Sequence, residues 1–208
     1  MSEVIHPCPV ALDKLKKGNA EHVKRSKNPI ERTSIQTVVK DPGQTPYAAI
    51  LSCADSRVIP ENIFTANEGD LFVVRVAGNI ANTSSIASLE YAIKYLHVRV
   101  IVVLGHESCG AVDAAIKQAK DRINFESNLN NLLSHIIPAI NDPTINDLKA
   151  AVKKNAELTS EQLLAKSEIL SHYYNNEGLS IFHGYYNIYG KEPGKVDSID
   201  SWSCGEAT

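Results

Sequence analysis

Two short stretches hold the residues with chemistry in them: Cys53-Ala-Asp55-Ser-Arg57 and His106-Glu-Ser-Cys109. Two thiols and one imidazole are soft to borderline donors that suit zinc, with a fourth position left for Asp55 or water. Asp55 and Arg57, two residues apart, can pair so that the guanidinium keeps the carboxylate charged and aimed. Taken singly, each residue has a plainer reading. Cys53 and Cys109 would be small buried hydrophobes, and Asp55 with Arg57 a surface ion pair worth well under about 1 kcal/mol. All five in this spacing favour a metal site over those readings. Cys8 and Cys204 fall outside both stretches, near the chain ends, and read as unremarkable thiols; zinc is preferred to a disulfide framework in a chain this long.

The elements that must position these residues are short apolar runs. Tyr47-Ala-Ala-Ile-Leu-Ser52 leads into Cys53, and Val100-Ile-Val-Val-Leu104 with Gly105 leads into His106, so both stretches read as C-terminal ends of buried strands. In an open parallel sheet ligands bind at such ends, and neighbouring strands would let Cys53, His106 and Cys109 converge. Around them, Pro9 to Arg25 reads as a helix that Gly18 and Asn19 bend or end early. Residues 26 to 46 read as turn and loop, and Pro60 opens a short helix after Arg57. Leu71 to Arg75 reads as an interior parallel strand, Ser84 to Leu96 as a helix on the sheet, and Gly178 to Tyr186 as a last, edge strand. A helix from Ser108 to about Gln118 starts at the metal, and its dipole would favour a thiolate at Cys109. Glu107 and Ser108, between the ligands, read as solvated or capping residues. Further helices are expected over Asn128 to Ile140 and Asp147 to about Tyr174. The fold class is α/β: a mainly parallel central sheet of four strands plus an edge strand, flanked by helices. Residues 1–208 are expected to form one domain, 1–26 a helical arm and 47–196 the α/β core.

The 208 residues are 43% hydrophobic and 22% charged with net charge -3, which suits a globular protein and gives no basic bias toward nucleic acid. The apolar runs fall short of the roughly 20 residues a spanning helix needs, so no membrane partner is expected. The N-terminus lacks a basic segment followed by an apolar one, which points to the cytoplasm.

Cys53-x-Asp55-x-Arg57, then Val74-Arg75-Val76-Ala77-Gly78-Asn79, then Gly105-His106-x-x-Cys109-Gly110 resembles the β-class carbonic anhydrases, over about residues 11 to 196. The resemblance implies one Zn2+ per subunit on Cys53, His106 and Cys109, and reversible hydration of carbon dioxide to bicarbonate and a proton. Asp55 would accept a hydrogen bond from the attacking oxygen while Arg57 fixes it. Gln44, Phe72, Ala77 and Tyr91 match the family's substrate pocket, with Gln44 reaching into a neighbouring subunit. A homodimer or a higher oligomer of dimers is implied, the N-terminal helix packing on the partner. In some members the aspartate leaves its arginine and becomes the fourth ligand. Members with a bicarbonate-linked form of that switch often carry tryptophan three residues before the first cysteine; Ile50 stands there, which favours an open site. The segment Thr65-Ala-Asn-Glu68 departs from bacterial relatives. Two alternatives keep the metal: hydrolysis of carbon disulfide or carbonyl sulfide, and a non-catalytic zinc-stabilised scaffold. No proton shuttle stands out, since His22, His97, His135, His172 and His183 are scattered.

Overall fold

A computed structural model describes residues 5–27, 44–123, 125–190 and 192–204; the loop expected over 28–43 lies outside them. The apolar runs form strands β1 (Ala48–Ser52), β2 (Leu71–Arg75), β3 (Val100–His106) and β4 (Ser180–Tyr186), joined by a two-residue β5 (Val196–Asp197). The sheet order is β2-β1-β3-β4-β5, with the first four strands parallel and β5 antiparallel to β4. Strand order therefore reverses at β1, which leaves a crevice between the ends of β1 and β3. Ser52 pairs with Leu104, so Cys53 follows β1 where β3 runs on to His106.

Alternate strand residues divide the core. On one face Ala48, Ile50, Val100, Val102 and Leu104 pack with α1 (Cys8–Ser26) and α2 (Pro60–Ile63). On the other, Ala49, Leu51, Ile101 and Val103 meet α3 (Thr83–Tyr95), α7 (Leu148–Lys166) and α8 (Glu168–Asn176). A third cluster, around Cys53 and Cys109, joins α4 (Gly110–Lys120), α5 (Asn128–Ser134) and α6 (Ile137–Ile140) at the strand ends.

Several expectations are corrected. Strand β2 is not interior: it is an edge, and Phe72, Val73 and Val74 are only half-buried. An apolar run states that its faces are to be covered, not which strands flank it. Strand β4 is not an edge, because β5, too short to read as a strand, pairs outside it. Helix α1 runs unbroken through Gly18 and Asn19. The helix expected over 128–140 breaks before α6, where Pro138 sits in the first turn. The one expected over 147–174 breaks at Ser167, whose hydroxyl accepts from Leu170 N and donates to Glu90. Cys8 and Cys204 are not free thiols but a disulfide, their Cα atoms 6.0 Å apart. Sequence separation hid the pair, since the partners stand 196 positions apart and the packing of α1 against the C-terminal segment brings them together.

Candidate metal centre

Cys53 leaves β1, His106 ends β3 and Cys109 sits at the N-cap of α4, so three backbone elements bring their donors to one point. All three residues are buried and their ligand atoms lie within 4.8 Å of one another. The Sγ atoms stand 4.0 Å apart, too far for a disulfide. Two thiolates tetrahedrally placed at about 2.3 Å from zinc would be separated by roughly 3.8 Å, so the spacing fits. His106 Nδ1 lies 2.9 Å from Glu107 O; donating there leaves Nε2 with a free lone pair. Nε2 is buried without a hydrogen-bond partner among the described residues. A buried acceptor aimed at two thiols is an arrangement that a metal satisfies.

The thiols are electrostatically unlike. Cys53 is held down to about 4, first by the hydrogen bond from Cys109 and then, against the cost of burial, by the backbone amides of Gly78 and Asp55. Cys109 is pushed up, because its neighbour already carries the charge and burial adds to that. The amides of Ala111 and Val112 at the start of α4 act in the opposite sense and favour a thiolate at Cys109. Gly78 N lies 3.4 Å from Cys53 Sγ at a backbone φ of 71°, a conformation glycine adopts without strain. Asn155, buried on α7, donates to Gly78 O at 2.8 Å and fixes that peptide.

Beside the thiols, Arg57 clamps Asp55 with Nε to Oδ1 at 2.9 Å and Nη2 to Oδ2 at 2.7 Å, and its backbone N adds a bond at 3.0 Å. These bonds hold the Asp55 carboxyl well below the usual carboxylate range. Asp55 Oδ2 lies 3.9 Å from His106 Nε2, beside the donor cluster. Arg75 donates to Asp55 O at 2.7 Å and Cys53 O at 3.3 Å, so it shapes the backbone that carries both residues.

The remaining expected residues are placed differently. Ala77 is half-buried in a 3-10 turn (Ala77–Asn79), next to the glycine that donates to Cys53. Phe72 and Tyr91 meet ring to ring at 6.2 Å on the other face of the sheet from α1, along the edge strand, with Tyr91 48% exposed. Gln44 is exposed, ahead of β1. Thr65 donates to Gly18 O and accepts from Arg25, so that divergent segment anchors α1. Sequence reasoning gave Arg75 no role and missed Asn155 and Tyr189. A motif containing Arg75 was visible; nothing local marks the other two.

An α/β sheet with a Cys2His cluster that could hold a metal ion, and a clamped aspartate at its switch point, defines the class of scaffold. The carbonic anhydrase family model matches residues 48–193. Carbonic anhydrase 2 of Mycobacterium tuberculosis is 40% identical over 134 residues, 64% of this chain and 64% of the relative. Carbonic anhydrase of Helicobacter pylori strain J99 is 31% identical over 171 residues, 74% of this chain and 76% of the relative. A tetrameric β-carbonic anhydrase from Sordaria macrospora superposes with a TM-score of 0.64 at 25% identity, covering 88% of this chain and 93% of that one. The chain belongs to the carbonic anhydrase family, in its β-class. It spans slightly under two thirds of the length of the M. tuberculosis relative, 64%.

Proposed function

We propose that this protein catalyses the reversible hydration of carbon dioxide to bicarbonate and a proton, with Zn2+ on Cys53, His106 and Cys109. The observation that carries the reading is the buried, unpartnered His106 Nε2 facing two thiols beside a carboxylate clamped by arginine. Zinc, when bound, supplies the Lewis acidity that makes water a nucleophile near neutral pH. Asp55 Oδ2 supplies the acceptor beside the open side of the donor set. Because Arg57 keeps that carboxyl ionised, Asp55 orients the attacking water through a hydrogen bond and does not store its proton. The clamp also favours an open site, since Asp55 would have to leave three bonds from Arg57 to bind the metal.

The pocket is read as shared between subunits, in a homodimer or an oligomer of dimers. In support, β2 is an edge strand and Phe72, Tyr91 and Tyr95 form a run of rings beside it, with Tyr95 61% exposed. Gln44 would enter from the neighbour. Of the alternatives, a structural metal site has no need of a carboxylate held off the metal, and the relatives named above carry the carbonic anhydrase name. Stopped-flow carbon dioxide hydration on zinc-quantified protein is the test. Cys109→Ala should lose stoichiometric zinc and fall to the uncatalysed rate; a variant that lost zinc but kept activity would refute the assignment.

A further inference from the structure

Arg57 has more to hold it than Asp55. Its Nη1 donates to the Tyr189 hydroxyl at 3.0 Å, and Nη2 donates to Ser108 O at 3.3 Å as well as to Asp55. The guanidinium carbon also lies 5.9 Å from the centre of the Tyr189 ring. Tyr189 belongs to the loop between β4 and β5, and two sets of bonds fix that loop. Its base is closed by Asn187 N to Lys195 O at 2.9 Å, Gly194 N to Asn187 O at 2.8 Å and the Asn187 amide to Asp197 at 2.7 Å. Over the site, Glu107 Oε2 accepts from Tyr189 N at 2.6 Å. Glu107 lies between the metal-ligand candidates and was expected to be solvated or to cap the helix. Its carboxylate instead closes a ring of contacts that runs from His106 through Glu107, Tyr189, Arg57 and Asp55 back to His106.

We propose that Tyr189 is a positioning residue: anchored by Glu107, its hydroxyl holds Arg57 in the place from which Arg57 keeps Asp55 off the metal. The inference rests on the zinc reading above and extends it to a residue 132 positions from Arg57. The Arg57–Tyr189 bond is exposed, and among the described residues the hydroxyl is the hydrogen-bond partner of Nη1, so its loss leaves that nitrogen to solvent. Arg57 then gains freedom to swing away, and Asp55 gains access to the fourth ligand position. Tyr189→Phe removes the oxygen and keeps the ring, and the residue is exposed, so the substitution leaves folding intact.

The test is a titration of cobalt-substituted enzyme with thiocyanate, a small anion that takes an open coordination position. Tyr189→Phe should weaken thiocyanate binding roughly three- to tenfold, the range to which the net worth of one hydrogen bond converts. The anion-free cobalt spectrum should shift toward that of a carboxylate-ligated site. In an Asp55→Asn background the same substitution should change the affinity no further, because no carboxylate is left to close the site. Equal affinity and spectra in Tyr189→Phe and the parent overturn the inference, as does a loss that persists in Asp55→Asn. A parent that binds metal and hydrates carbon dioxide while Tyr189→Phe behaves identically overturns this inference alone. A parent that takes up neither zinc nor cobalt overturns the zinc reading and this inference with it.

Discussion

Two imidazoles in this chain, one buried and one half-buried, have opposite surroundings. His106 gives Nδ1 to Glu107 O and turns Nε2 toward two thiols, so its ring is prepared for a metal. His22 faces the Tyr186 hydroxyl at 3.1 Å, and burial, with help from Arg25, lowers its pKa to about 4. Between about pH 6.5 and pH 4 the unfolded chain therefore binds a proton at His22 that the folded chain refuses. Stability should fall as pH drops through that window and level off below it, by on the order of 1 to 3 kcal/mol for this group. Urea unfolding at pH 7 and pH 4.5 should show a larger loss in the parent than in His22→Gln; equal losses would exclude His22 as the source. The five residues that the structure brings together at the candidate centre were legible as a group because thiols, imidazole and a paired carboxylate stand at short spacing. Tyr189 and Asn155 were not, since each acts on a partner 132 or 77 positions away and neither residue type is diagnostic.

Among the elements, α1 shows most directly how a helix-breaking signal can mean something else. A Cβ on Gly18 would stand 1.7 Å from Phe64 O, so the glycine is there for contact between helix and backbone. Asn19 follows it into the core and donates to Ile63 O and Gly194 O while accepting from Val196 N. Propensity lost in the helix is offset by a docking point that joins α1 to α2 and β5. Gly18→Ala should raise local helix propensity and still destabilise the protein, by about 3 kcal/mol or more, because backbone must move to admit the methyl. Chemical denaturation measures this, and a neutral or stabilising result would mean that α1 can shift freely. The strands β1 and β3 and the span of α3 were readable from apolar period, while the capping box of Asn82 with Ser85 that starts α3 was seen only in the structure. Strand order was not readable, because which element covers β2 or β4 depends on distant residues. Nor was the break between α7 and α8, which depends on Ser167 reaching Glu90 across 77 positions.

At the scale of the molecule, the disulfide between Cys8 and Cys204 closes nearly the whole chain into one loop. The C-terminal segment it secures has other attachments: Trp202 stacks on Phe182 at 5.2 Å, its Nε1 donates to His183 O at 3.1 Å, and Lys16 donates to Trp202 O at 2.9 Å. The fold should therefore survive loss of the bond, with the cost appearing mainly in the unfolded ensemble. For a loop of this length that cost is about 2 to 5 kcal/mol. The bonded pair packs with α1 on one face of the sheet, whereas Cys53 and Cys109 belong to a different cluster, so zinc content should not change. A Cys8→Ser, Cys204→Ser protein should unfold at lower denaturant, bind zinc as the parent does, and show no response to reductant under conditions that destabilise the parent. Alkylation of unfolded, metal-stripped parent without reductant should modify two cysteines. Four modified cysteines would show that the bond does not form in the surroundings sampled. Because disulfides persist in oxidising compartments and are rare in the cytosol, alkylation of the chain taken directly from its cell would report where it works.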